Sequence, residues 1–163
     1  MRAILAILMV VASVGASRAG DTYDDPKALV SAIYSAYQPG KPAGDPAQYY
    51  SKRLTGLVDA HLDEKIAESD ALMQGEVVPA TAPFNPFMPD ASALLFDLAI
   101  GEPTTLAEHS IINVSYHNFD QPRLLSISMI KQDDGWKVDD VSSMGNEEHW
   151  LLSWALTYDP LGM

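Results

Sequence analysis

The chain has 163 residues, with ten basic and 22 acidic side chains, no cysteine and a formal net charge of −12 at pH 7. This length suits one domain with a single hydrophobic core, and the lack of cysteine excludes disulfide bonds. The negative charge repels phosphate backbones and anionic lipid headgroups, so we expect neither a nucleic-acid partner nor binding to a membrane surface.

The first nineteen residues have the pattern of a secretory signal peptide. Arg2 precedes an apolar run over residues 3–14, and Ser17-Arg18-Ala19 places small residues at a cleavage site. A run of about twelve apolar residues is too short to cross a bilayer. We therefore expect residues 1–19 to be a signal peptide cleaved near Ala19, with no membrane insertion afterwards and a periplasmic or secreted location. Residues 20–163 are expected to form a single domain, in which eight basic residues stand against 22 acidic ones, a formal charge of −14.

The first part of this domain has helical spacing. Asp24-Asp25-Pro26 is a typical helix start, and an apolar stripe follows at three- and four-residue intervals: Leu29, Val30, Ile33, Tyr34 and Tyr37. A second helix is predicted from about Pro46 to Met73, with a break at Gly56 as one alternative. Its apolar stripe is predicted to be Tyr50, Leu54, Leu57, Val58, Leu62 and Ile66. The proline-rich residues 74–92 are predicted to be an ordered loop.

The second part changes to the alternating pattern of strands. Strands are predicted over Leu94–Ile100 and His109–Phe119, followed by a hairpin over Leu124–Ser143 with a type I′ turn at Asp134-Gly135. A closing helix is predicted over Glu147–Tyr158. Helices followed by consecutive strands indicate an α+β fold, with N-terminal helices packed on a curved antiparallel sheet and a short C-terminal helix.

Four segments occur in an order that resembles a known family. They are the helix that bears Tyr34 and Tyr37, Tyr50-Ser51-Lys52-Arg53-Leu54, Asn85-Pro86-Phe87 and the run from Asp134-Gly135-Trp136 to Val141. Over residues 25–143 the chain resembles the small exported DUF3828 domains of unknown function, of the NTF2-like, cystatin-like class, although Asn85 stands where an acid is expected. The resemblance implies a cone-shaped sheet around a helix-capped pocket, implies no agreed activity and allows a homodimer.

A pocket of this kind could hold a catalytic base, a role that needs a carboxylate or histidine with a shifted pKa. Asp97 is a candidate because it interrupts an apolar run. Burial would raise its pKa if it pointed inward, whereas an outward Asp97 would be an ordinary surface residue. Asp139 is a second candidate base, with Tyr116 as hydrogen-bond donor, although Asp139 and Asp140 could instead be structural. The histidines and acids show no recognisable ligand spacing, so neither a metal nor a cofactor is predicted.

Aromatic residues supply the candidate binding surfaces. Tyr34, Tyr37, Phe96, Tyr116 and Trp136 could line a ligand pocket or could simply fill the core. Trp150 and Trp154 could clamp the last helix to the domain or bind a partner. We therefore expect an exported, non-catalytic module that binds a small molecule or a protein. The alternative is a small-molecule isomerase or hydratase with a pocket carboxylate. A third hypothesis, an antagonist of a basic toxin, depends on the negative charge alone.

Overall fold

The fold is α+β in a computed structural model that describes residues 21–37, 44–73, 85–88, 95–145 and 149–158. The helices are α1 (Pro26–Ser35), α2 (Lys52–Met73) and α3 (Leu152–Tyr158), with a short 3-10 helix at Pro46–Tyr49. The strands are β1 (Phe96–Ile100), β2 (Thr104–Leu106), β3 (His109–Asn118), β4 (Gln121–Gln132), β5 (Gly135–Ser143) and β6 (Trp150–Leu151). They form an antiparallel sheet in the order β1-β3-β4-β5-β6, with β2 also paired to β3. The predicted α+β class and short C-terminal helix are confirmed, while the predicted signal peptide and most of the predicted loop lie outside the described residues.

The predicted hairpin is the centre of the sheet. The face predicted to be apolar is buried, with Leu125, Ile127 and Met129 of β4 all in the core. The predicted type I′ turn is wrong, because such a turn needs a positive φ at Asp134. The only positive φ in this turn is 100°, at Gly135, which is the arrangement of a turn followed by a left-handed glycine.

Helix α1 begins as its sequence indicates. The Asp25 side chain caps it, accepting a hydrogen bond of 2.9 Å from the Ala28 amide, and Pro26 opens the first turn. The predicted apolar stripe of α1 contributes four residues to the core: Leu29, Val30, Ile33 and Tyr34. Across the core, the ring centroid of Tyr34 lies 6.4 Å from that of Tyr116 on β3.

Two predicted helix starts are corrected, and the alternative break at Gly56 is absent. Helix α2 runs through Gly56 as one continuous helix. The segment before it is a separate 3-10 helix, since Ser51 caps α2 anew by accepting a hydrogen bond from the Leu54 amide at 3.0 Å. The predicted closing helix starts later than expected, because Trp150–Leu151 pairs with β5 as β6.

The outer edge of β5 is covered along its length. Tyr23 bridges Gly135 and Tyr50 bridges Val138, both in parallel, and β6 pairs with Ser142 and Ser143. The Trp136 amide donates to the Tyr23 carbonyl at 2.8 Å. Covering an edge satisfies backbone groups that would otherwise be free to pair with another chain. Within the described residues, no helix has both the length and the apolar character that crossing a bilayer requires.

Candidate functional site

Two of the segments that carry the family resemblance meet at a β-bulge in β5. Ser128 of β4 pairs with Asp140 and the next residue, Met129, pairs with Val138, so Asp139 is an additional residue in the strand. A bulge leaves local backbone groups without ladder partners. Here the Arg53 guanidinium of α2 donates a hydrogen bond to the Asp139 carbonyl and so closes the bulge.

The Asp139 carboxylate is held by the start of α2. Its Oδ1 accepts a hydrogen bond from the hydroxyl of the fully buried Ser51 at 2.5 Å, and Arg53 Nε lies 3.0 Å from its Oδ2. Burial works against ionisation, but the hydrogen bonds from Arg53 and Ser51 outweigh it and hold the pKa of Asp139 below its usual range. A carboxylate of lowered pKa is a weaker base, so the site does not have the raised pKa that the predicted catalytic role requires.

The Asp140 carboxylate holds the start of α3. Its Oδ1 accepts hydrogen bonds from the Ser153 amide at 3.0 Å and the Val141 amide at 2.9 Å, and its Oδ2 accepts from the Ser153 hydroxyl at 2.5 Å. Arg53 Nη2 lies 3.8 Å from the same Oδ2. The two adjacent acids therefore join both α2 and α3 to β5. We call Ser51, Arg53, Asp139, Asp140 and Ser153 the bulge cluster, and its geometry is that of a structural clamp.

Asp97 lies on the surface of the edge strand β1. Its side chain is 85% exposed, and its φ of 53° coincides with the irregular pairing between β1 and β3. Its Oδ2 is 3.7 Å from Nδ1 of His117. Asp97 therefore fits the surface alternative of the sequence analysis, because the inward orientation that a pocket base needs is not present.

Most of the aromatic residues predicted to line a pocket are packed in the core. Tyr34, Tyr116 and Trp136 are buried, Tyr37 is partly buried against the core, and Phe96 is half-exposed on β1. Burial raises the pKa of Tyr34, with Tyr116 and Tyr37 adding to the effect, so this hydroxyl stays neutral. These contacts agree with the core-filling alternative.

The turn at Asn85 is tied to α1. Asn85 Oδ1 lies 2.9 Å from the Tyr37 hydroxyl and accepts a hydrogen bond from the Phe87 amide at 3.1 Å. The Phe87 carbonyl accepts from the Tyr34 hydroxyl at 3.2 Å, and the Phe87 ring is buried. The amide of Asn85 thus supplies the acceptor that the turn needs, in the place where an acid was expected.

The last helix exposes aromatic rings. The side chains of Trp154 and Tyr158 are one helical turn apart, and their ring centroids are 5.7 Å from each other. Trp154 is 50% exposed and Tyr158 is 68% exposed, whereas Trp150 is partly buried against the core. We call Trp154 and Tyr158 the α3 aromatic pair. Trp154 was predicted from the sequence as a partner contact, whereas Tyr158 was predicted only to share its helical spacing.

Helix α2 also exposes two members of its predicted apolar stripe, Leu62 and Ile66. Leu62 is 46% exposed and Ile66 is 60% exposed, because the core covers this stripe only at its beginning, at Tyr50, Leu54 and in part Val58. Ser51 and Arg53 were not predicted from the sequence to be site residues. Their only signal was their place in a segment that resembles a family.

No group of three or more histidine, aspartate and glutamate side chains suited to a metal ion occurs among the described residues. Comparison of the chain with protein-family models, with curated proteins and with solved structures gives no match.

Proposed function

We propose that this chain is an exported, non-catalytic module that binds a protein partner through the α3 aromatic pair. In this proposal residues 1–19 direct export, and the domain is a relative of the DUF3828 domains with an NTF2-like arrangement of helices on a curved sheet. The resemblance of the Ser51 and Asp139 segments, and the contact between them in the bulge cluster, support the family part of the proposal.

The residues suggested for catalysis are engaged elsewhere or placed differently. Asp139 is ion-paired with Arg53, Asp97 is on the surface, and Tyr116 is buried in the core. The aromatic residues suggested for a ligand pocket mostly pack against each other or against the sheet. These contacts favour the binding hypothesis over the isomerase or hydratase alternative.

The exposure of the α3 aromatic pair is the observation that carries the proposal. Tryptophan and tyrosine present large, rigid and partly polar surfaces and are enriched among residues that dominate binding energy. Burial of large aromatic side chains such as Trp154 and Tyr158 is favourable. Both nevertheless remain about half or more exposed, while their rings contact each other. Their exposure is explained if a partner covers them.

The test compares the purified protein with the Trp154→Ala/Tyr158→Ala variant. Each protein is used to capture partners from the exported fraction of its own host, and native mass spectrometry reports the bound masses and any homodimer. We expect a polypeptide bound in fixed stoichiometry, with affinity lowered at least about a hundredfold in the variant, since such anchors contribute about 2 kcal/mol or more each. The melting temperature should not change, because the two rings lie outside the core.

The matched control is Leu106→Ala/Phe119→Ala, which removes two exposed apolar side chains from the end of β2 and from the turn between β3 and β4. This control should retain the partner at full affinity. Retention of the partner by the α3 variant would contradict the proposal, and so would a bound small molecule in place of a polypeptide.

A further inference from the structure

We infer that the partner presents a cationic amphipathic segment, which binds across α2 and α3 with apolar side chains on the exposed rings and basic side chains on the acids of α2. This inference depends on the proposed function and goes beyond it by naming the chemistry of the partner. Three features of the molecule support this class of partner: the exposed side chains of α2, the contact of α2 with α3, and the negative charge around both helices.

The second half of the described part of α2 packs against α3 on one face and exposes the rest of its surface. Between Asp59 and Ala67 the only buried side chain is His61. Leu62 and Ile66 lie one turn apart on the same face and are both about half exposed. Exposure of two large aliphatic side chains does not stabilise a helix. In complexes between a helix and a groove or a second helix, such side chains are the anchors that become buried.

Helix α3 lies directly against this part of α2. Nδ1 of His61 is 3.2 Å from the carbonyl oxygen of Leu156, which stands midway between Trp154 and Tyr158 along α3. The two helices that expose apolar side chains are therefore in contact. We call Leu62, Ile66, Trp154 and Tyr158 the α2/α3 surface, and its four members combine aliphatic and aromatic anchors on neighbouring helices.

Acidic residues accompany the apolar anchors on α2. Asp59 and Asp63 are exposed and lie three residues before Leu62 and Ile66, respectively. Glu64, the next residue in the chain, is also exposed. Lys65 is the only basic residue of α2 after Arg53, and α3 has no charged residue at all. The field at this surface is thus negative, in a domain whose formal charge is −14.

The negative charge of this surface favours a cationic partner. Lysine or arginine side chains on the partner would lie close to the three carboxylates and speed up association. A second copy of the chain would bring the same carboxylates together if the surface paired with itself, and an anionic membrane would be repelled. A segment with basic residues on one side and apolar residues on the other matches both properties of the surface.

The probe is a synthetic amphipathic helical peptide of about 14 residues, roughly 20 Å long, with leucine and tryptophan on one face and lysines on the other. A second peptide has each lysine replaced by glutamine. Binding to the purified protein is followed by the fluorescence anisotropy of a dye on the peptide. We expect the lysine peptide to bind at least about tenfold more tightly, with an affinity that falls as salt is raised from about 50 mM to about 500 mM.

Two sets of charge variants locate the binding. Asp59→Asn/Asp63→Asn/Glu64→Gln should weaken binding of the lysine peptide about tenfold, since each exposed ion pair that is lost contributes only modestly to binding. A matched control, Glu108→Gln/Asp120→Asn/Asp133→Asn, removes the same charge from exposed positions on the sheet and should leave the affinity within about twofold.

The outcomes separate this inference from the proposed function. Equal binding of the two peptides, equal effects of the two charge variants, or binding to neutral phosphatidylcholine vesicles in place of the lysine peptide would each overturn the cationic class of partner. The binding module itself would survive these results if Trp154→Ala/Tyr158→Ala still abolished capture of the natural partner. Conversely, retention of that partner by the aromatic variant would overturn the proposed function whatever the peptides do.

Discussion

Replacement of Asp139 in the bulge cluster measures how strongly the start of α2 is held on the sheet. In Asp139→Ala the hydroxyl of the fully buried Ser51 loses its acceptor, which costs about 1–3 kcal/mol. The ion pair with Arg53 adds at most about 1 kcal/mol, because the Arg53 side chain is about half exposed to solvent. We therefore expect the free energy of unfolding to fall by about 3 kcal/mol. Urea denaturation followed by tryptophan fluorescence measures this change.

The Asp139→Asn variant separates charge from hydrogen bonding. Its amide oxygen can still accept from Ser51, so the loss should be smaller, about 1–2 kcal/mol. The pKa of Asp139 is lowered in the folded state. The stabilisation is therefore fully present above the unfolded-state value of about 3.9 and is lost as the pH falls through the folded-state pKa. The difference in stability between the wild type and Asp139→Asn should shrink as the pH is lowered through this range.

The matched control is Asp133→Asn, which removes the same charge from an exposed position in the hairpin turn. It should change the free energy of unfolding by less than about 0.5 kcal/mol. A similarly small effect of Asp139→Ala would refute the assignment of the bulge cluster as a clamp. So would a difference between the wild type and Asp139→Asn that stays constant as the pH falls.

Three further substitutions test the edge of β5, the body of α2 and the start of α3. Gly135→Ala should destabilise the protein by about 3 kcal/mol, because its φ is positive and a Cβ would lie 2.6 Å from the Tyr23 carbonyl oxygen. In contrast, Gly56→Ala, with nothing within 4 Å, should stabilise α2 by about 0.5–1 kcal/mol, and urea denaturation compares the two. Asp140→Ala should cost about 2–3 kcal/mol, since Ser153 loses the acceptor of its amide and its hydroxyl. Hydrogen exchange should then quicken in α3, and unchanged exchange there would contradict the role of Asp140.

Local patterns were enough to predict the elements whose structure is determined locally. Alternation in β3 and β4 separates buried Ile112, Val114 and Ile127 from their exposed neighbours, as expected for a sheet with one packed face. The capping side chain of Asp25 and the position of the hairpin turn, though not its type, depend on residues within a few positions of one another. These features needed no knowledge of the rest of the chain.

The features that sequence could not predict depend on distant contacts. The bulge at Asp139 is one additional residue in an otherwise regular alternating strand, and its partner Arg53 is 86 residues away. Helical spacing placed Leu62 on the same stripe as Leu54, but spacing alone does not say how far along a helix the core extends. For the same reason it could not decide whether Tyr34 lines a pocket or fills the core.

The bridge between Tyr23 and Gly135 also limits the order in which the domain can fold. Tyr23 pairs with Gly135 at the beginning of β5, so segments more than one hundred residues apart help to complete the edge of the sheet. Such distant pairing is slow, because the entropy of closing a long loop opposes it before the contact is made. A growing chain that lacks β5 lacks the groups that pair with the Tyr23 carbonyl and the Ser51 amide, which are the Trp136 amide and the Val138 carbonyl. The domain should therefore reach its native state only after most of the polypeptide has been made, and truncation before Gly135 should leave no stable fragment.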